Sequence, residues 1–132
     1  MELESVIETD FISVHPEMSL GDMIHNAVSK SNRNLFPVVD NANRLVGIIL
    51  LDDIRTIMFD QSLYDSTSAE TFMHNPPEII NYEKDSMKVV MKKFQDSGAW
   101  NLPVIKEGNY YGFVSKSKLL TAYRIELINF TS

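Results

Sequence analysis

Asn34-Leu-Phe-Pro-Val-Val39 followed by Arg44-Leu-Val-Gly-Ile-Ile49 decides the fold, because the chain says it twice. The second copy is Asn101-Leu-Pro-Val-Ile105 followed by Tyr110-Tyr-Gly-Phe-Val114. Pro103 stands 66 residues after Pro37, and Gly112 stands 65 after Gly47. One residue fewer in the turn between the two runs accounts for the difference. The match extends upstream. Ser19-Leu20 is answered by Ser86-Met87, and Phe11-Ile-Ser-Val14 by Pro77-Glu-Ile-Ile80. The repeating unit reads as βαββα.

Periodicity assigns the elements. Leu20, Met23, Ile24, Ala27 and Val28 form one apolar helix stripe, with Ser19 as N-cap and Asp22 in the first turn. Met87, Val90, Met91 and Phe94 repeat the stripe, capped by Asp85 or Ser86 and ended by Ser97-Gly98. Residues 36–39 and 45–50 are short apolar runs joined by the polar turn Asp40-Asn-Ala-Asn43. Residues 102–105 and 110–114 form the matching hairpin. Closing helices are predicted over residues 51–59 and 116–128. The expected organisation is a repeat over residues 1–60, a polar linker over 61–71, a second repeat over 72–128 and a tail at 129–132.

A half of about sixty residues buries too little surface to be comfortable alone. Two similar halves packed sheet to sheet remedy this. The expected fold is therefore α/β, in the α+β sense, with pseudo-two-fold symmetry. Clefts between such halves favour ligands and partners, which points to binding.

Bulk properties narrow the function. The net charge of −6 over 132 residues disfavours a nucleic-acid backbone or an anionic membrane as main partner. With no cysteine there is no disulfide, thiolate metal site or Cys nucleophile. The longest apolar stretch, around residues 45–51, is far short of the roughly 20 residues a membrane span needs. No secretory signal is visible, so a soluble chain is expected.

Catalytic constellations are missing. His15, His25 and His74 are scattered; His25, three residues after Asp22, reads as part of a solvated helix face rather than a metal pair. There is no His-Glu-x-x-His, Gly-x-Ser-x-Gly, phosphate loop or Gly-x-Gly-x-x-Gly. Asp52-Asp53 at a strand-to-helix junction reads as a complement to the helix dipole. Trp100 reads either as a tether to the apolar core or as a platform for a ligand base.

The order and spacing of these runs resemble the CBS domain, and two in tandem resemble a Bateman module, over about residues 6–123. A narrower resemblance lies in Phe36-Pro-Val-Val-Asp40, Leu45-Val-Gly-Ile-Ile49, Leu51-Asp-Asp-Ile-Arg55, Met58-Phe-Asp60 and Leu63-Tyr64-Asp65. With Ser117-Lys-Leu-Leu-Thr-Ala-Tyr-Arg124, these look like the cytoplasmic region of bacterial ClC-type chloride channels and transporters. That resemblance implies a non-enzymatic regulatory and dimerisation module on the cytoplasmic face of the membrane. It would modulate anion transport by a membrane domain of the same chain, and no nucleic acid is implied. The alternatives are a nucleotide-sensing module, enzyme-linked or free-standing, and an architectural dimeriser with clefts filled by side chains.

The resemblance also implies ligand positions. The family's ribose-phosphate signature is Gly-apolar-apolar-Ser/Thr-x-x-Asp. The first copy reads Gly47-Ile-Ile-Leu50-Leu-Asp-Asp53, with the carboxylate but no hydroxyl. The second reads Gly112-Phe-Val-Ser115-Lys-Ser-Lys118, with the hydroxyl but Lys118 in place of the carboxylate. An adenine nucleotide would use Asp53, with Phe36 and Pro37 along the wall, and Val14, Ser115, Ile80 and Leu102 as further candidates. Lys116 and Lys118 could attract phosphate as point charges. A capping box reads equally well in the same pattern. For a homodimer the contact candidates are Ile54, Ile57, Met58, Leu119 and Tyr123, read as exposed on the last helices.

Overall fold

The computed structural model describes residues 2–131, with side chains as far as Ile125. In chain order the elements are β1 (Ile7–Glu8), α1 (Leu20–Asn26), β2 (Leu35–Val39), β3 (Leu45–Leu50), α2 (Leu51–Ile54), β4 (Ile80–Asn81), α3 (Met87–Ser97), β5 (Asn101–Lys106), β6 (Asn109–Ser115) and α4 (Lys116–Thr131). The chain divides into two compact units. A middle unit spans Asp10–Asn75, and a terminal unit gathers Met1–Thr9 with Pro76–Ser132.

In the middle unit β2 and β3 form an antiparallel hairpin, with Phe36 opposite Ile49 and Val38 opposite Gly47. Val14 bridges to Val38 in parallel on one side, and His74 to Ile48 in antiparallel on the other. The terminal unit fills the same plan with longer strands, in the order β1-β6-β5-β4. Ile80 pairs in parallel with Val104, Val104 faces Gly112, and Glu8 pairs with Phe113. Both hairpins shift register at the same place, after Val38 and after Val104. The prolines fit this ladder. Val14 N–H donates to Pro37 O and Val39 N–H to Val14 O. The missing Pro37 N–H therefore lies on the side of the single-residue Val14 bridge, away from β3.

The turn between β2 and β3 is built by Asp40. Its Oδ1 accepts from the N–H groups of Ala42 and Arg44, each at 2.9 Å, and its Oδ2 lies 3.1 Å from Arg44 Nε. These bonds, the Arg44 N–H first, hold the Asp40 carboxyl below its usual range.

The helices begin and end as their residues dictate. Ser19 Oγ accepts from Asp22 N–H, and Ser86 Oγ accepts from Val89 N–H. Gly98 closes α3 in the left-handed conformation at φ 68°. The predicted helix over 51–59 is corrected to a single turn, Leu51–Ile54. Ile57 N–H then bonds back to Ile54 O and Asp60 N–H to Ile57 O, while the Tyr64 hydroxyl takes Met58 O at 2.6 Å. Two β-branched residues, Thr56 and Ile57, sit where the helix gives way. The polar segment over 61–71 is part of the middle unit. Leu20 N–H donates to Thr67 O, Ala69 N–H to Met18 O, and Ala69 is fully buried.

Each unit has its own core. Val14, Leu20, Met23, Phe36, Val38, Ile49 and Ile54 anchor one, and Val6, Ile80, Val90, Phe94, Leu102, Val104, Val114 and Leu119 the other. Most pairs are the same repeat position, which is why Ile54 and Leu119 are both inside. Their expected exposure is corrected: each faces the hairpin it follows, leaving 0% and 1% of its surface open.

The unforeseen feature is the addition, to the edge of each hairpin, of the segment that precedes the other repeat. Residues 7–8 join β6, and His74 joins β3. A Cβ on Gly112 would lie 2.5 Å from Glu8 O, and one on Gly47 would lie 2.3 Å from Met73 Cγ and 3.1 Å from His74 O. Glycine at this point of the repeat admits the added edge. Tyr111 and Glu4 tie that edge down in the terminal unit, the hydroxyl donating to Glu4 Oε1 at 2.6 Å. Lys106 Nζ stands over the Tyr82 and Tyr111 rings at 4.5 and 4.8 Å. The Tyr111 hydroxyl, then that of Tyr82 and the Lys106 charge, holds the Glu4 carboxyl below its ordinary 4.5. The same carboxylate raises both phenols above 10.0.

Two predictions follow from this edge. Gly112→Ala meets rigid backbone and loses about 1–3 kcal/mol in urea unfolding, whereas Gly47→Ala meets mainly a movable Met73 side chain and loses less. Equal losses would contradict the account. The lowered Glu4 pKa contributes stability above about pH 4.5 that disappears as pH falls through the folded value. The raised tyrosines contribute below about pH 10 and cease to as pH rises through theirs. The small stability gap between wild type and Glu4→Gln is therefore widest near neutrality and narrows toward both extremes.

Candidate functional site

The two strand-to-helix junctions hold the residues that the sequence singles out. At β3–α2, Leu50 has no side chain with which to cap the helix, so the junction is held from the other end. Asp53 Oδ2 accepts from Leu50 N–H at 3.2 Å and lies 3.1 Å from His74 Nε2. Asp52, one residue earlier, pairs with Arg55 at 3.0 Å. At β6–α4 the arrangement is reversed. Ser115 Oγ accepts from Lys118 N–H at 3.1 Å. One junction has the carboxylate half of a capping box and the other the hydroxyl half, each satisfying backbone donors at a helix start.

These contacts occupy the same atoms that a ribose or phosphate would address. Asp53 retains about a third of its side-chain surface, 35%, and His74 retains 45%. The apolar candidates are placed otherwise than expected. Val14 and Phe36 lie at 0% exposure in the middle core, Pro37 is buried in β2, and Ile80 and Leu102 lie at 0% in the terminal core. They build the sheets and offer a ligand no surface. The structure thus brings Asp53 together with His74, a residue that residue spacing alone leaves as one of three scattered histidines. The signal lay in the repeat: His74 stands 66 residues after Glu8, the residue that pairs with β6.

Other candidates separate in the same way. His25 is exposed and meets the Tyr64 ring edge-on at 5.9 Å. Among the described residues no cluster of His, Cys, Asp or Glu could hold a metal ion. Trp100 does not tether the core. It is 72% exposed, with Lys116 Nζ 5.4 Å from its ring centroid. Ile57 and Met58 are half-buried, and Tyr123 is 44% exposed. Among the described residues the exposed large apolar side chains of α4 are Leu120, Tyr123 and Ile125. Between α3 and α4 runs a groove of about 240 Å³ lined by Met91, Phe94, Gln95, Lys116, Leu119 and Leu120. Among the described residues no helix is long and apolar enough to cross a membrane.

This geometry has relatives among solved structures. The chain is similar to OpuCA of Staphylococcus aureus at 17% identity and TM-score 0.73, covering 92% of this chain and 98% of that one. It is similar to the CBS domain of a CBS-domain-containing membrane protein of Sphaerobacter thermophilus at 21% identity and TM-score 0.74, covering 92% and 86%. It is also similar to CbpB solved in complex with c-di-AMP, at 20% identity and TM-score 0.75, covering 99% and 89%. At such identities the likeness establishes the fold. No curated protein matches the chain. The family model described as CBS domain matches it twice, over residues 3–60 and 69–125. The chain belongs to the CBS domain family, as a tandem pair with regulatory character.

Proposed function

We propose that this CBS pair is a non-enzymatic, self-associating regulatory module, the cytoplasmic part of a ClC-type chloride channel or transporter. The observation that carries the regulatory reading is the split of the ligand signature. Asp53 and Ser115 each serve one junction, bonded to backbone and, for Asp53, to His74. Neither junction holds a complete set of ribose and phosphate contacts, so the work of the two motifs here is to start helices. Regulation then runs through the arrangement of the module and its partners, by shifting a conformational equilibrium of an attached domain. The membrane assignment is supported by the matching runs around residues 36–65 and 117–124. It is also supported by the likeness to a module from a membrane protein.

The test is chloride efflux from vesicles that carry the whole polypeptide containing this segment, with and without residues 3–125. Efflux that persists but changes its rate or activation on removal is the expected result. A polypeptide that moves no chloride in either form overturns the ClC assignment.

One observation favours a second reading, nucleotide sensing: the Asp53 carboxylate keeps its partial exposure beside His74. CbpB, of like fold, was solved with c-di-AMP. Titration calorimetry with ATP, ADP and AMP separates the readings. The regulatory reading without a nucleotide expects no saturable heat at millimolar ligand. Saturable heat that disappears in Asp53→Asn would install the second reading.

A further inference from the structure

His74 holds the edge of the middle unit with its backbone and its ring together. Ile48 N–H donates to His74 O at 2.9 Å, and His74 N–H donates to Ile48 O at 3.0 Å. The ring reaches α2, placing Nε2 3.1 Å from Asp53 Oδ2. The other ring nitrogen, Nδ1, lies 3.3 Å from Asn75 O. Both ring nitrogens thus face acceptors. A neutral imidazole carries one N–H and serves one of them; an imidazolium carries two and serves both. In the charged form the contact with Asp53 becomes a charge-assisted hydrogen bond.

The repeat carries the same two positions with their charges exchanged. Glu8, on the edge of the terminal unit, corresponds to His74, and Lys118, on its last helix, corresponds to Asp53. An acid on the edge and a base on the helix become a base on the edge and an acid on the helix. Glutamate and lysine keep their charges across the physiological range, whereas an imidazole changes charge between about pH 5 and 8. Only the edge of the middle unit therefore has a member that changes charge there. The charges around His74 are few. Residues 35–39 of β2 and 45–50 of β3 include no titratable side chain. From α2 come Asp53 and Asp52, and Asp52 is paired with Arg55 at 3.0 Å. Within the middle unit the charged residue nearest His74 along its own segment is Glu70. The other two histidines are engaged elsewhere: His15 Nδ1 lies 3.0 Å from Val39 O, and His25 meets the Tyr64 ring.

We infer that the His74–Asp53 pair is a proton-operated latch. Protonation of His74 fastens the added edge to β3 and to the start of α2, and loss of the proton loosens it. Asp53 Oδ2 also accepts from Leu50 N–H at 3.2 Å, so the edge, the strand end and the helix start respond together. The latch contributes in mildly acid solution, where the carboxylate and the imidazole are both charged, and its contribution is lost as pH rises through the imidazole range. It gives a regulatory module an input other than a nucleotide. What the latch governs rests on the regulatory reading; the latch itself is a property of the folded unit and does not depend on the ClC assignment.

Amide hydrogen exchange of the full chain tests this, followed residue by residue by NMR and corrected for the intrinsic pH dependence of exchange. Protection of the Ile48 and His74 amides is expected to fall about two- to fivefold between about pH 5.5 and about pH 8, the scale of a partly exposed ion pair. The Tyr82 amide, bonded to Ile105 O in the terminal unit, which contains no histidine, is expected to keep its protection. His74→Gln removes the titrating ring, and Asp53→Asn removes the charge while keeping an acceptor for Leu50 N–H. Each variant is expected to lose the pH response and to show the lower protection throughout. Protection that does not change with pH in the wild type, or a response that survives in either variant, overturns the latch. Neither result bears on chloride efflux, which decides the ClC assignment separately.

Discussion

The structure depends on a close approach of backbone to backbone. Glu8 O comes to where a side chain on Gly112 would begin, and Met73 with His74 O comes to the corresponding point at Gly47. Each hairpin thereby gains an edge from a segment lying before the first strand of a repeat. A two-stranded hairpin is marginal alone, and the additional strands give each apolar face enough breadth to bury a helix. In the terminal unit that edge is paired by β1, clamped by the Glu4–Tyr111 hydrogen bond and covered by the Lys106 side chain over two tyrosines. The small residue that looks like part of a ligand signature is thus first a requirement of the sheet.

The same economy governs the helix starts. A helix N-terminus leaves backbone donors that need acceptors. Leu50 cannot supply one, and Asp53 reaches back instead; Lys118 cannot reach back, and Ser115 reaches forward. Each junction is satisfied by one half of the reciprocal pair. What distinguishes the copies chemically is what stands around these halves. Asp53 has His74, whereas Ser115 is followed by Lys116, whose ammonium sits over an exposed Trp100. Polar and charged differences between the copies fall at surfaces and junctions, while the equivalent core positions, Phe36 and Leu102, Val38 and Val104, and Ile54 and Leu119, change size but stay apolar and buried.

That contrast explains how much of the candidate site was legible in advance. The split of the signature between Asp53 and Ser115 could be read from residue types alone, and both side chains are found bonded at their helix starts. The surrounding apolar residues could not be placed by type, because a buried wall and a ligand-facing wall use the same side chains. Val14, Phe36, Ile80 and Leu102 went to the cores. The same ambiguity affected the helix faces. A single helical turn does not reveal which of Ile54, Ile57 and Met58 points inward, and in α4 Leu119 and Leu120 are adjacent yet divided between core and surface.

By itself the sequence determined the repeat, the strand pairs, the serine cap of α1, a cap for α3 at Asp85 or Ser86, and the stop at Gly98. These depend on local chemistry and on periods of two and 3.6 residues, which survive in a one-dimensional reading. Only the tertiary structure decided that residues 7–8 belong with β6, that His74 meets both Ile48 and Asp53, and that the helix after β3 ends at Ile54. The reason is that edge pairing joins segments far apart in the chain. Glu8 and Phe113 are neighbours through a backbone ladder, and a ladder uses groups that every residue carries, so nothing in their side chains announces the match.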